Sequence, residues 1–199
     1  MTDLGEAIVA AVAPHSGVRS IQLVGSRAEG RATDRSDWDF RVEADDLAAL
    51  VETMPELLAQ FQPLAQQWDR LSPEYCWMVI LRGPVKVDLI FSDKPHEKEP
   101  PWKPQASNLE AIDDHFWDWM LWLRSKEAAD ERELVDAELT KLFAHLLAPL
   151  GVSERPGSIA DAVASYRAAR RCAERRFGRS VRRDVEAAVA PALGGQGLR

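Results

Sequence analysis

At 199 residues and a net charge of −7, the chain is long enough to bury a substantial core as one domain or two small ones, and its acidic balance argues against general nucleic-acid affinity. The apolar stretch 7–13 is too short to span a bilayer and follows Asp3 and Glu6 where a signal peptide would carry basic residues, so a cytoplasmic protein is expected. Cys76 and Cys172 lie far apart with no CxxC spacing and read as reduced structural thiols in preference to a disulfide or a zinc site.

In chain order, the pattern predicts a helix over 4–13, a short strand over 20–24, a turn, and a second strand over 37–42. Asp45 and Asp46 then cap a helix running to about Phe61. A β-hairpin follows over 75–81 and 85–91, with Gly83-Pro84 at its turn. This makes a mixed sheet flanked by helices. The stretch 92–104 holds four prolines and reads as a connector or substrate-side loop. Beyond it the pattern turns helical over 108–126, 129–147, 158–177 and 180–193. The expected fold class is therefore α+β: a small mixed-sheet domain over 1–104 and a C-terminal helical bundle over 105–199.

The chemistry concentrates in the first half. In an extended strand alternate side chains share a face, so Asp37 and Asp39 project together with Cα atoms roughly 7 Å apart. Asp88 sits in a later strand-like run, Val85 to Phe91. Three neighbouring carboxylates without a counter-charge would cost several kcal/mol, an arrangement that makes physical sense with Mg²⁺ or Mn²⁺ bound. Upstream, the strand ending at Val24 runs into Gly25-Ser26-Arg27, where a helix can begin. Gly25 lets a phosphate approach the backbone, the first amides of a helix lack partners, and Ser26 and Arg27 add a hydroxyl and a fixed positive charge. The turn is not of the Walker type, because no GxxxxGK[ST] is present. The competing reading makes Asp34, Ser36, Asp37 and Asp39 a polar loop entering an exposed strand, with Asp88 paired to a surface arginine such as Arg82. Against it, Val85, Val87 and Ile90 imply burial beside Asp88, where a carboxylate needs a specific partner.

The run Gly25-Ser26, Gly30, Ser36-Asp37-Trp38-Asp39 and then Asp88 resembles the DNA polymerase β-like nucleotidyltransferase superfamily, most of all the antibiotic (aminoglycoside and lincosamide) nucleotidyltransferases and the minimal nucleotidyltransferases. The resemblance covers roughly the first half of the chain. Trp38 is bulkier than the aliphatic residue usual between the two aspartates, and it faces away from them. The resemblance implies a metal-dependent enzyme that transfers a nucleoside monophosphate, AMP from ATP, to a hydroxyl and releases pyrophosphate. It implies two Mg²⁺ ions (Mn²⁺ as a substitute) on Asp37, Asp39 and Asp88, and a triphosphate cradle of Gly25, Ser26, Arg27, Gly30 and Ser36. The acceptor proton would go to Asp88 or to a carboxylate of the helical half, for which Glu110, Asp113 and Asp114 qualify by position. A small hydroxylated acceptor, as in antibiotic resistance, leads, since the acidic balance suits a cationic molecule. A toxin–antitoxin regulator that modifies or binds a partner protein is the alternative, and transfer to RNA a third reading.

In the helical half, the segment 116–123 is apolar nearly all round and reads as core. His15, His96, His115 and His145 show no metal-ligand spacing. The arginines between 167 and 183 read as an ion-paired helix face, with an anion or nucleic-acid contact as the other possibility.

Overall fold

The computed structural model describes residues 4–194. The chain divides into two compact units, Met1–Glu99 and Pro100–Arg199, and the fold is α+β.

The first unit comprises α1 (Leu4–Val12), β1 (Val18–Val24), the single turn α2 (Gly25–Ala28), β2 (Trp38–Ala44), α3 (Leu47–Leu58), and a 3₁₀ turn, Ala59–Phe61. The strands β3 (Ala65–Trp68), β4 (Glu74–Leu81) and β5 (Val85–Pro95) complete it. Asp46 starts α3 by accepting the Ala49 amide at 3.0 Å. The five strands lie in the order β1-β2-β5-β4-β3. Every neighbouring pair is antiparallel except β2 and β5, which run parallel. Strand alternation sets the faces: Phe40 and Val42 of β2, with Val87, Leu89 and Phe91 of β5, pack with Ile8 and Val12 of α1 and with Leu50, Met54 and Leu58 of α3. Trp38 joins this apolar side, stacked 6.5 Å from Phe40 and close enough to α1 that a Cβ on Gly5 would lie 2.7 Å from its ring. Asp39 and Asp88 must then point from the opposite face.

Two differences from the sequence reading are local. Asp37 lies one residue before β2 begins. β3 was not foreseen, since Ala65-Gln66-Gln67-Trp68 carries no alternation and is recruited by pairing with β4.

The second unit contains α4 (Leu109–Ala128), α5 (Arg132–Leu142), a π-helical turn Phe143–Leu147, α6 (Ile159–Phe177) and α7 (Asp184–Leu193). Ser158 caps α6 through the Asp161 amide. The apolar run of α4 is core, with Phe116 stacked on Tyr166 of α6 at 3.8 Å between ring centroids. Buried charged groups accompany it, among them Asp113, Asp114 and Arg170. Asp113 accepts from Tyr166 Oη at 2.6 Å and from Arg170 Nη1 at 2.8 Å, and Arg170 also pairs with Glu186. Asp114 takes both branches of a bidentate contact from Arg182 Nη2 at 2.9 and 2.8 Å, while Glu110 lies 3.3 Å from the same guanidinium. Glu110, Asp113 and Asp114 therefore have arginine partners within their own unit. Arg167, Arg170, Arg182 and Arg183 are likewise engaged by carboxylates, so most of the basic stretch is an ion-paired face.

The pairing is incomplete compensation for Asp114. Burial raises its pKa to about 7, against the opposing pull of Arg182, with Asp113 and Glu110 adding repulsion. A carboxyl with a higher pKa folded than unfolded holds its proton more tightly in the native state. Its contribution to stability is full below about pH 4 and is lost as pH rises through about 7. The urea midpoint of the helical unit should accordingly fall between pH 5 and pH 8, by an amount on the order of a few kcal/mol in stability. Asp114→Asn should flatten this slope. A slope unchanged in that variant would assign it elsewhere.

Among the described residues, no helix is long and apolar enough to cross a membrane. Cys76 is buried, Cys172 is exposed, and neither is in a disulfide.

Candidate active site

The parallel register brings two of the aspartates side by side. Trp38 pairs with Val87 and Asp39 with Asp88, so the two carboxylates leave adjacent strands on one face, about 5 Å apart at the backbone. Val24 of β1 pairs with Asp39 from the other side. The next residue, Gly25, therefore arrives at the Asp39 carboxylate, and a Cβ there would lie 2.7 Å from Asp39 Oδ2. Gly25 also has φ +70°, a conformation that side-chain-bearing residues rarely adopt. Glycine is thus favoured at this position by backbone conformation, and a Cβ there would force the Asp39 carboxylate to shift.

The turn that follows is short. Glu29 donates to the Gly25 carbonyl at 3.1 Å and Arg31 to that of Ser26 at 2.8 Å, and the chain reverses at Gly30, with φ +68°. The segment Gly25–Ala28 is one helical turn, so the donors it can offer are the first amides, with little dipole behind them. Ser26 is half-buried within it.

Arg27 has a role that the sequence did not reveal. Its Nε donates to the Asp37 carbonyl at 3.0 Å and its Nη2 to the Ser36 carbonyl at 2.6 Å. The guanidinium also lies over the Trp38 ring, 4.1 Å from its centroid. Arg27 ties the Gly25–Ala28 turn to the loop carrying Asp37, and Trp38 is the platform it rests on. Ser36 acts on the same loop, its hydroxyl accepting the Thr33 amide at 2.9 Å. Asp37 and Asp39 are half-buried at the edge of this assembly.

Asp88 has a partner other than Arg82. Lys86 Nζ donates to Asp88 Oδ1 at 2.7 Å, and both residues are buried. Lys86 and Asp88 alternate along β5 and so share a face, a relation already present in the sequence.

The donor chemistry bears on a metal. Hard oxygen ligands suit Mg²⁺ or Mn²⁺, and Mg²⁺ is ordinarily held by one or two carboxylates together with substrate phosphates. Asp37 and Asp39 fit that description. Among the described residues no group of three or more His, Cys, Asp or Glu side chains is disposed to hold a metal ion.

The sequence matches no family model, and no curated protein matches it. Among solved structures, the chain is similar to an aminoglycoside 6-adenyltransferase from Bacillus subtilis, at 11% identity over 96% of each chain and a TM-score of 0.35.

Proposed function

We propose that the N-terminal unit binds a nucleoside triphosphate with a divalent cation and transfers the nucleoside monophosphate, AMP from ATP, to a hydroxyl of a small acceptor such as an aminoglycoside-like antibiotic, releasing pyrophosphate. The observation that carries this reading is the convergence of Gly25 on the Asp39 carboxylate, itself in register with Asp88 on the neighbouring parallel strand. One sheet end thus presents backbone donors for phosphate beside carboxylates for a cation.

In this reading Asp37 and Asp39 would hold the cation, which would supply Lewis acidity at the phosphates and charge neutralisation. The amides of the Gly25–Ala28 turn and the Ser26 hydroxyl bind and orient the triphosphate. Arg27 keeps the turn and the Asp37 loop in register with each other. The acceptor oxygen forms a bond to the α-phosphorus as the bond to the pyrophosphate oxygen breaks. The hydroxyl proton passes to a carboxylate oxygen of Asp88, which lies on the same face as Asp39.

The test is incubation of the purified protein with α-labelled ATP and Mg²⁺, offering aminoglycosides and lincosamides, proteins that co-purify, and tRNA in separate reactions. Label is expected on a small acceptor. Label on a co-purified protein would replace this acceptor with that of a toxin–antitoxin regulator. Arg171→Glu with Arg175→Glu should leave transfer to a cationic small molecule within about twofold. A large loss in that variant, accompanied by label on tRNA, would make RNA the acceptor.

A further inference from the structure

Asp37 precedes β2, whose register with β5 begins at Trp38 and Val87, so it stands just outside the ladder that fixes Asp39 and Asp88. One side chain brackets it. The Ser36 carbonyl belongs to the peptide before the Asp37 Cα, and the Asp37 carbonyl to the peptide after it. Arg27 holds both: its Nε donates to the Ser36 carbonyl at 3.2 Å and to the Asp37 carbonyl at 3.0 Å, and its Nη2 to the Ser36 carbonyl at 2.6 Å. Peptide and guanidinium are planar, so tying both peptides to one rigid fork restricts φ and ψ of Asp37, and with them the direction in which its side chain leaves the backbone. Asp37 makes further contacts of its own, and these act on a backbone already bracketed. The fork is itself seated. Its face lies 4.1 Å over the Trp38 ring, which stacks on Phe40 and borders α1 at Gly5. An aliphatic side chain at position 38 would offer the cation no π face.

We propose that Arg27, seated on Trp38, is a positioning residue that sets the direction of the Asp37 carboxylate for the cation, and that it serves in this way in place of a contact with phosphate. One edge and one face of its guanidinium are already committed to the protein. This deepens the nucleotidyl-transfer reading of the same site and rests on it. The two roles differ in the sign of their effect. Removing a positive charge near a cation site strengthens cation binding on Coulombic grounds alone, whereas releasing Asp37 weakens it.

The experiment is Mn²⁺ titration of the full-length protein, with and without a non-hydrolysable ATP analogue, counting free ion by electron paramagnetic resonance, alongside amide hydrogen exchange. Arg27→Gln should bind Mn²⁺ about tenfold more weakly than the native protein, although it has lost a positive charge. Arg27→Lys keeps the charge but cannot hold two carbonyls while lying flat on a ring, so it should weaken binding about as much. Trp38→Phe keeps an aromatic face and should stay within about threefold of the native affinity, whereas Trp38→Leu should fall with the arginine variants. The Thr33 and Ser36 amides, bonded to the Ser36 hydroxyl and the Thr33 carbonyl, should exchange at least about tenfold faster in Arg27→Gln. Native or tighter Mn²⁺ binding in Arg27→Gln, with affinity for the analogue lost there and kept in Arg27→Lys, would make Arg27 a phosphate ligand and overturn the proposal. Unchanged exchange in Arg27→Gln would overturn the bracketing itself. No Mn²⁺ on the native protein under either condition would instead remove the cation site, a failure of the nucleotidyl-transfer reading that the exchange rates do not share. Because Trp38 also packs against the core, the Arg27 variants carry the decision.

Discussion

Replacing Asp37 or Asp39 by asparagine should lower nucleotidyl transfer by at least about 10³-fold, and replacing Asp88 by about 10²–10⁴-fold, with the fold retained in all three. The size follows from what each group does. Asp37 and Asp39 would hold the cation that offsets charge on the phosphates, and an amide has neither the charge nor the second anionic oxygen to replace them. Asp88→Asn removes a proton acceptor while the side-chain volume stays. Stability should change little for Asp37 and Asp39, which are half-buried and gain from relief of mutual repulsion. Asp88→Asn should be the least stable of the three, since it leaves the buried Lys86 ammonium with an amide in place of its carboxylate. Single-turnover rates with labelled ATP, together with urea midpoints, separate the two effects. Near-normal turnover in any one variant would remove that residue from the site.

Gly25→Val should abolish triphosphate binding, and Gly25→Ala should already weaken it by about 10²-fold or more. Any Cβ at this position lies 2.7 Å from Asp39 Oδ2, well inside van der Waals contact, so either the carboxylate or the turn must move. The backbone at φ +70° adds a further penalty of about 1–2 kcal/mol for a residue with a side chain. Phosphate donors and cation ligand are therefore displaced together by one substitution. Ser26→Ala, which removes a single hydroxyl and strains nothing, should lose only about 1–2 kcal/mol of binding. Isothermal titration with a non-hydrolysable ATP analogue and Mg²⁺ measures both. Equal affinity in native protein and Gly25→Val would dismiss the cradle.

Much of this was legible in the chain because the signals were local. The Val85 to Phe91 alternation and the Gly83-Pro84 turn give the hairpin, and Asp46 announces α3 through its cap. The side of β2 on which Trp38 lies follows from period-two geometry alone. What escaped depended on partners distant in sequence. The pairing of β3 requires β4 to be present, and no local pattern says that Arg27 will reach the carbonyls of Ser36 and Asp37, nine and ten residues on. The arginine partners of Asp113 and Asp114 lie 57 and 68 residues away. Even so, two adjacent aspartates in an apolar helix already signal that burial must be compensated. Lys86 is the instructive miss, because its relation to Asp88 is only two residues long.

The parallel pairing of β2 with β5 has a consequence for the order of assembly. Asp39 and Asp88 are 49 residues apart in the chain yet abreast in the sheet, and the segment between them contains α3 and the β3–β4 pair. Closing so long a loop costs entropy before any contact rewards it, and a non-local strand pairing of this kind forms slowly. The hairpin of β4 and β5 can form early from its own residues, whereas Asp88 comes abreast of Asp39 only when that hairpin docks on β2. Binding of Mg·ATP as proposed would add to the stability of the native unit, so saturating nucleotide should slow unfolding of the N-terminal unit.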